Sequence, residues 1–165
     1  MYVFDANVFI EAHQRYYGLD FAPGFWEHLI RGFAKGQVVS IEKVAQELAK
    51  RADPLSQWAQ ANAQLFLPMD SAVQDSFQKL SAWAMDPQHK YTPAARNEFL
   101  QKADYQLVAY AHAHGYAVVT HEEPSPDAKK RVKIPDACVA FNVPWINTFT
   151  MLRNNGARFV LSDEG

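Results

Sequence analysis

The sequence predicts an α/β fold in which a parallel sheet of about five strands carries helices on both faces. Short, almost wholly apolar runs recur along the chain, and such runs are typical of parallel strands that are buried on both sides. Stretches with apolar residues at helical spacing separate these runs. The chain of 165 residues suits a single domain spanning 1–165, and neither an internal repeat nor a linker divides it.

The first part of the chain contains two strand–helix units. An apolar, β-prone run at residues 2–4 predicts the first strand, and helical spacing over 8–16 predicts the helix that follows. A second helix is predicted at 23–36, because a proline suits its first turn and a glycine ends it. The second strand is predicted at 38–39, and apolar spacing indicates another helix over 41–48.

The segment 53–101 is predicted to be mostly helical and to hold at most one strand, at 65–67. Asp53 is a suitable N-cap for the helix that begins there, and Asp70 is a suitable cap for a later one. A further helix is expected at 93–100. We interpret this segment as a helical cap over the sheet.

The last part of the chain returns to alternating strands and helices. A helix is predicted at 104–115, with a glycine at its end, and a strand at 117–120. The stretch 121–137 lacks periodicity and contains three prolines and a basic cluster, which predicts a loop. A fifth strand is expected around 145–146, and a short helix at 149–153.

Composition limits the possible function classes. The formal net charge is −2, so the overall charge does not favour nucleic acid or membrane, and an anionic partner requires a local basic patch or a metal. The single cysteine, Cys138, excludes an internal disulfide and a cysteine-based zinc site, and we expect it to be buried packing. Without a basic leader or a long apolar run, the sequence predicts a soluble cytoplasmic protein. The glycine-rich fingerprints of dinucleotide and nucleoside triphosphate sites are absent from it.

Acidic residues follow the predicted strands. Asp5 ends the first strand, Glu47 lies on the helix after the second, and Asp104 begins the helix that leads into the fourth. Glu122 lies two residues past the fourth strand, and Asp136 lies in the loop before the fifth. In open α/β sheets the ligand crevice lies outside the carboxyl ends of the strands. We therefore expect these carboxylates to approach one edge of the sheet.

Carboxylates gathered at one edge repel each other, and a hard divalent cation relieves that repulsion. Mg²⁺ and Mn²⁺ prefer oxygen ligands, and such an ion can activate water and neutralise charge on a phosphate. An alternative stays open, because Asp5 and Asp104 are also suitable helix caps. Glu47 and Glu122 could equally be solvated surface residues.

The order of these motifs resembles the PIN-domain nucleases. The matching stretches are residues 3–8 (VFDANV), 44–48 (VAQEL), 103–109 (ADYQLVA) and 118–122 (VVTHE). The extra segment 133–138 (KIPDAC) makes the chain most similar to a PIN-like branch related to VapC-type ribonuclease toxins. The resemblance implies a three-layer fold around a parallel sheet of about five strands.

The resemblance also implies a site of three or four carboxylates that holds Mg²⁺ or Mn²⁺. Asp5, Glu47 and Asp104 match the first three acidic positions of the family. Glu122 and Asp136 are the two candidates for the fourth position.

Polar and basic residues are expected to support this site. By the same resemblance, Asn7 and Thr120 match positions that orient the acidic residues or the attacking water. A basic cluster in the loop after the fourth strand is either a solvated surface or a contact for an RNA backbone. Its members are Lys129, Lys130, Arg131 and Lys133. Lys50 and Arg51 either extend this patch or complement the dipole at a helix C-terminus.

The implied activity is that of a metal-dependent endoribonuclease, the toxin of a type II toxin–antitoxin module, which hydrolyses RNA to products with a 5′-phosphate. The expected partners are RNA, an antitoxin and a second copy of the chain, and the apolar stripe over 25–33 is either core or interface. The alternative is a catalytically inactive PIN-like module that binds RNA or protein. An aspartyl phosphatase is disfavoured, because Asn7 stands where that pattern needs a second aspartate.

Overall fold

A five-stranded parallel sheet forms the centre of the molecule in the computed structural model, which describes residues 1–161. The strands lie in the order β3-β2-β1-β4-β5. Their bounds are β1 (Tyr2–Phe4), β2 (Val38–Ile41), β3 (Phe66–Leu67), β4 (Ala117–Val119) and β5 (Trp145–Ile146). The central strand β1 pairs with β2 and β4, so that Val3 lies beside both Val39 and Val118.

Helices flank the sheet and complete a three-layer α/β fold, which confirms the fold class that the sequence predicts. In chain order they are α1 (Ala6–Glu11), α2 (Pro23–Ala34), α3 (Glu42–Ala49), α4 (Pro54–Ala61), α5 (Val73–Met85), α6 (Pro93–Gln101), α7 (Ala103–His114), α8 (Ile134–Ala140) and α9 (Thr148–Asn154). A π-helical turn over Ala12–Tyr16 extends α1, and short 3₁₀ turns lie at Ala63–Leu65 and Pro87–His89. Within residues 1–161, none of the helices combines the length and apolarity needed to cross a bilayer.

Helix boundaries follow local sequence chemistry. Asp53 caps α4, accepting a hydrogen bond from the Ser56 N–H at 3.0 Å, while its own N–H donates to Ser56 Oγ at 3.2 Å. Gly115 ends α7 in the left-handed region, at a φ of +68° that suits glycine. Both ends agree with the sequence prediction.

Helix α7 lies at the centre of one packing layer. Its residues Leu107 to Ala111 are all buried, since the helix contacts β1, β2 and β4 as well as α5, α6 and α8. A helix surrounded in this way is apolar on most of its circumference. Aromatic contacts fix its first turn: the Tyr105 ring lies 5.0 Å from Phe77 and 5.7 Å from Phe99. These contacts also fix Asp104, the residue before Tyr105.

A second aromatic cluster fixes α1 against the sheet. Phe9 lies 5.6 Å from Phe4, 5.7 Å from Phe66 and 5.9 Å from Trp58, measured between ring centroids. Trp58 in turn lies 4.7 Å from Trp26 on α2. Trp26 belongs to the apolar stripe predicted over 25–33, and the structure places most of that stripe in the core.

Two local predictions need correction. The stretch 121–137 is not a loop throughout, because α8 begins at Ile134 with Pro135 in its first turn. Proline suits the first turn because the N–H groups there have no carbonyl partner within the helix, so the N–H that proline lacks is not needed. Asp136 therefore lies in the first turn of α8. Asp70 is not the N-cap of α5; its carboxylate accepts the Ala72 N–H in the turn before that helix.

The segment 53–101 contributes to the sheet as well as to the helical layers. β3 pairs with β2 at the edge of the sheet, with Ser40 beside Phe66. The helices α5 and α6 of this segment pack against α7.

Candidate active site at the carboxyl edge of the sheet

A cavity of about 580 Å³ opens where β1 ends. Residues from α1, α3, the α6–α7 junction and the loop before α8 line it. The lining consists of Asp5, Asn7, Lys43, Gln46, Glu47, Lys50, Gln101, Lys102, Ala103, Asp104 and Arg131. The structure thus brings together the three carboxylates that the resemblance places at the first acidic positions.

Asp5 is a buried carboxylate, and only 2 % of its surface is exposed. Its backbone N–H donates to the Val119 carbonyl at 3.0 Å, and its Oδ2 accepts from Thr120 Oγ1 at 3.0 Å. In the described part of the chain its side chain accepts no capping hydrogen bond from α1. The helix-cap interpretation of Asp5 therefore does not account for this side chain.

The pKa of Asp5 is raised by its burial and by the neighbouring carboxylates. Burial raises the pKa of this carboxyl from its ordinary 3.8 to about 8. The negative charge of Asp104 contributes most after burial, followed by Glu122 and, to a smaller extent, Glu47. The hydrogen bond from Thr120 acts in the opposite direction. The group therefore lies where negative charge accumulates, and a bound cation would favour its ionised form.

Asp104 lies in the first turn of α7, where Lys102 rather than Asp104 occupies the N-cap position. Burial raises its pKa from 3.8 to about 6, and the charge of Glu122 adds to the effect. The positive charges of Arg131 and Lys102 lower it. Glu47 raises it slightly, although Glu47 itself is exposed on α3 beside the buried Leu48.

Thr120 connects β4 to two of the acidic residues. Its hydroxyl donates to Asp5 and accepts the Glu122 N–H at 3.1 Å. Thr120 is itself buried, with 1 % of its surface exposed. These two contacts support the orienting role that the resemblance implies for Thr120. Asn7, the other residue predicted to orient the site, is half-buried and lines the cavity from α1.

Glu122 and Asp136, the two candidates for the fourth acidic position, are absent from the cavity lining among the described residues. The Glu122 carboxylate accepts from Arg131 Nη2 at 2.6 Å and from the Ile134 N–H at 2.8 Å. The Asp136 carboxylate accepts the Ser125 N–H at 3.0 and 3.2 Å. Both side chains therefore hold the loop between β4 and α8 in place.

The carboxylate oxygens of this cavity are donors of the kind that Mg²⁺ and Mn²⁺ prefer. Over residues 1–161, no three acidic, histidine or cysteine side chains are arranged to hold a metal ion together. Mg²⁺ commonly keeps several waters and takes only one or two carboxylates plus substrate phosphates. Asp5 and Asp104 are candidates for such a pair, because burial raises the pKa of both carboxyls, and a bound cation would favour their ionised forms.

A basic rim surrounds these carboxylates. It consists of the four cationic residues of the lining: Lys43, Lys50, Lys102 and Arg131. Of the basic loop cluster predicted from the sequence, only Arg131 lines the cavity. Lys129 lies 5.2 Å from the centre of the Tyr91 ring, Lys130 is exposed, and Lys133 is the N-cap residue of α8.

Sequence reasoning missed Lys43 and Lys102. Lys43 precedes Glu47 by four residues, a spacing that places both on one face of a helix, and this signal was available. Lys102 lies two residues before Asp104, just before the helix begins. Arg51, the neighbour of Lys50, instead pairs with Asp53 at 2.8 Å.

The profile of a family described as "Domain of unknown function (DUF4411)" matches residues 2–159. The chain belongs to this family. No curated protein and no solved structure matches the chain. The span matched by DUF4411 includes every strand and every residue that lines the cavity.

The cavity of this DUF4411 domain combines an acidic floor with a cationic rim. Phosphate groups of a polyanion suit lysine and arginine side chains at the rim. A divalent cation suits the carboxylates below. A phosphodiester is a ligand that satisfies both parts at once, since its charge can be shared between the rim and the ion.

Proposed function

We propose that this DUF4411 chain is a metal-dependent endoribonuclease that hydrolyses RNA phosphodiester bonds. The observation that supports it best is the buried Asp5 carboxylate beside Asp104 and Glu47 in a cavity rimmed by basic side chains. A buried carboxyl close to other carboxylates is unfavourable in itself, and strongly shifted pKa values of this kind are concentrated at functional sites. The order of the motifs, which resembles the PIN-domain nucleases, points to the same chemistry.

In the proposed reaction Asp5 and Asp104 would hold the cation, with Glu47 at the exposed side of the cavity. When bound, Mg²⁺ or Mn²⁺ would lower the pKa of the attacking water and neutralise negative charge on the phosphate. The chain's own part is positioning: Thr120 fixes the Asp5 carboxylate, and the rim lysines bind flanking phosphates. Water oxygen adds to phosphorus as the bond to the 3′ oxygen breaks. The proton that the water loses is balanced by the proton that the leaving 3′ oxygen gains, so the products are a 5′-phosphate and a 3′-hydroxyl.

The biological setting we propose is that of a toxin of a type II toxin–antitoxin module that acts as a homodimer in the cytoplasm. The resemblance to VapC-type toxins supports this setting, with RNA and an antitoxin protein as partners. Size-exclusion chromatography over a wide concentration range tests the dimer. Elution as a monomer throughout that range would contradict it.

The direct test is cleavage of total cellular RNA by the wild type with Mn²⁺, with EDTA, and by Asp104→Asn with Mn²⁺. We expect discrete fragments only from the wild type with metal. The matched control is Asp75→Asn, because Asp75 is an exposed aspartate on α5 that pairs with Lys79. This control should cleave like the wild type. Cleavage that persists in Asp104→Asn or in EDTA would contradict the proposed site.

A second candidate is a module that binds RNA without cleaving it. The observation that favours this candidate is that no three ligands within residues 1–161 are arranged around one ion. A basic rim would still bind phosphates in that case. Failure of millimolar Mn²⁺ to raise the melting temperature, together with RNA binding and no cleavage, would favour this second function.

A further inference from the structure

We propose that Arg131 is a catalytic residue that contacts a non-bridging oxygen of the scissile phosphate, and that Glu122 is the positioning residue that holds it there. This inference rests on the proposed ribonuclease function. It assigns Glu122 a role different from that of a fourth metal ligand. The geometry of the loop between β4 and α8 carries it.

Both carboxylate oxygens of Glu122 accept hydrogen bonds from other parts of the protein. Oε1 accepts from Arg131 Nη2 at 2.6 Å, and Oε2 accepts from the Ile134 N–H in the first turn of α8. Only 7 % of the Glu122 side chain is exposed, against 43 % for Arg131. The buried partner therefore anchors the pair, and the exposed partner faces the cavity and solvent.

The backbone around Arg131 is also fixed. Val132 is buried, with 2 % of its surface exposed. On the other side of Arg131, the Lys129 carbonyl accepts the Thr92 N–H at 3.0 Å. Earlier in the same loop, the Ser125 N–H donates a hydrogen bond to the carboxylate of Asp136 in α8. An arginine at this position is held by its side chain and by the backbone on both sides, so its guanidinium is preorganised.

Arg131 stands close to the proposed chemistry. It lines the cavity together with Asp5 and Asp104, and it also lines a smaller crevice beside Asp104 and Lys102. Its guanidinium carries five N–H donors, of which Glu122 engages Nη2. The remaining donors suit the planar, two-point recognition of a phosphate, which a lysine ammonium cannot reproduce.

A preorganised guanidinium contributes most where negative charge develops during the reaction. Donors of this kind, aimed at a developing anion, typically account for about 100-fold or more in kcat. The competing explanation is purely structural: Arg131 neutralises nearby carboxylates and holds the loop. A catalytic role predicts that the loss of Arg131 lowers kcat and that added guanidinium restores activity. A purely structural role predicts a loss of stability that guanidinium does not restore.

The test compares Arg131→Ala, Arg131→Lys and Glu122→Gln with the wild type on an RNA that the wild type cleaves. The matched controls are Arg31→Ala and Glu27→Gln, because Arg31 and Glu27 form an exposed ion pair on α2. We expect Arg131→Ala to lower kcat about 100-fold and Arg131→Lys to recover little of it. Guanidinium chloride at tens of millimolar should restore part of the activity of Arg131→Ala. Both controls should retain wild-type kcat.

Two readouts besides activity separate the roles. The Mn²⁺ concentration that half-saturates thermal stabilisation should be unchanged in Glu122→Gln, whereas loss of a ligand would raise it. In an Asp104→Asn background, where RNA is bound but not cut, Arg131→Ala should weaken RNA binding far less than it lowers kcat.

The outcomes distinguish this inference from the proposed function. If the wild type cleaves and Asp104→Asn does not, but Arg131→Ala keeps wild-type kcat, the role of Arg131 is wrong and the function stands. If Arg131→Ala loses activity, is not rescued by guanidinium and has a lowered melting temperature, the catalytic role of Arg131 is also wrong. If the wild type cleaves no RNA, both the function and this role are wrong.

Discussion

Thr120 and Asp5 are 115 residues apart in the sequence, and the hydroxyl of Thr120 donates a 3.0 Å hydrogen bond to the Asp5 carboxylate. β1 and β4 are neighbours in the sheet, so the residues that follow them meet at its carboxyl edge. Both side chains are almost completely buried. This contact therefore fixes one carboxylate of the candidate site from the adjacent strand.

Thr120→Val keeps the shape of the side chain and removes the hydroxyl. Because that hydrogen bond lowers the pKa of Asp5, its loss should raise the pKa further and weaken cation binding. We expect roughly a tenfold loss of Mn²⁺ affinity, in line with other residues that orient metal ligands. Thermal shift as a function of Mn²⁺ concentration measures it. The control is Thr150→Val on α9, and equal affinities in the two variants would exclude the orienting role.

Asp5→Asn should stabilise the metal-free protein at neutral and alkaline pH. The pKa of Asp5 is raised from 3.8 to about 8, so between these values the folded state binds more protons than the unfolded state. The free energy of unfolding of the wild type must then fall as pH rises through this window. The raised pKa of Asp104, about 6, adds to the fall at the lower end.

Urea unfolding in EDTA at several pH values between 4 and 9 tests this linkage, since that range brackets 3.8 and about 8. We expect Asp5→Asn to be more stable than the wild type by on the order of 1–2 kcal/mol at pH 8, and to show a flatter pH dependence. Asp75→Asn, which replaces an exposed aspartate, should follow the wild-type curve. A wild-type stability that rises from pH 5 to pH 8 would contradict a raised pKa at Asp5.

Added Mn²⁺ should reverse this pH dependence. A cation that binds only the folded state stabilises it by about 2.7 kcal/mol at a concentration 100 times its dissociation constant. Since the ligands must be ionised, binding competes with protons, and the shift in melting temperature should be larger at pH 8 than at pH 5. Asp5→Asn and Asp104→Asn should each lose most of the shift. A shift of equal size in these variants would place the ion elsewhere.

The strands and the first acidic residues were predictable from the sequence for a physical reason. Parallel strands place their carboxyl ends on one edge, so Asp5 at the end of a strand and Asp104 at the start of a helix needed only the strand order to meet. The apolar runs that form β1, β2 and β4 are short, and the structure extends the second strand from the predicted 38–39 to Val38–Ile41. The positions of these strands in the sequence follow from local apolar runs, whereas their order in the sheet depends on tertiary contacts.

The contacts of the loop between β4 and α8 could not be predicted in the same way. The path of that loop depends on Asp136 accepting the Ser125 N–H and on the hydrogen bond between Thr92 and the Lys129 carbonyl. The second contact joins segments far apart in the sequence. The same loop carries the pairing of Glu122 with Arg131, and it places Lys129 over the Tyr91 ring, outside the cavity lining within residues 1–161.

Neutralising the lysines of the basic rim should weaken RNA binding without changing the metal site. Lys43, Lys50 and Lys102 line the cavity beside the carboxylates. Under the proposed function they would contact phosphates on either side of the scissile bond. Each phosphate neutralised on single-stranded nucleic acid contributes a slope of about 0.7 to the dependence of log affinity on log salt concentration. We expect Lys43→Gln and Lys50→Gln each to lower the slope by an amount of that order.

The measurement is RNA affinity by fluorescence anisotropy at a series of salt concentrations, in an Asp104→Asn background that does not cut the RNA. The matched control is Lys79→Gln, because Lys79 is exposed on α5 and pairs with Asp75 there. Its salt slope should equal that of the parent. A lower affinity with an unchanged slope in Lys43→Gln would mean that this lysine acts on the fold or on Glu47, one helical turn away, rather than on a phosphate.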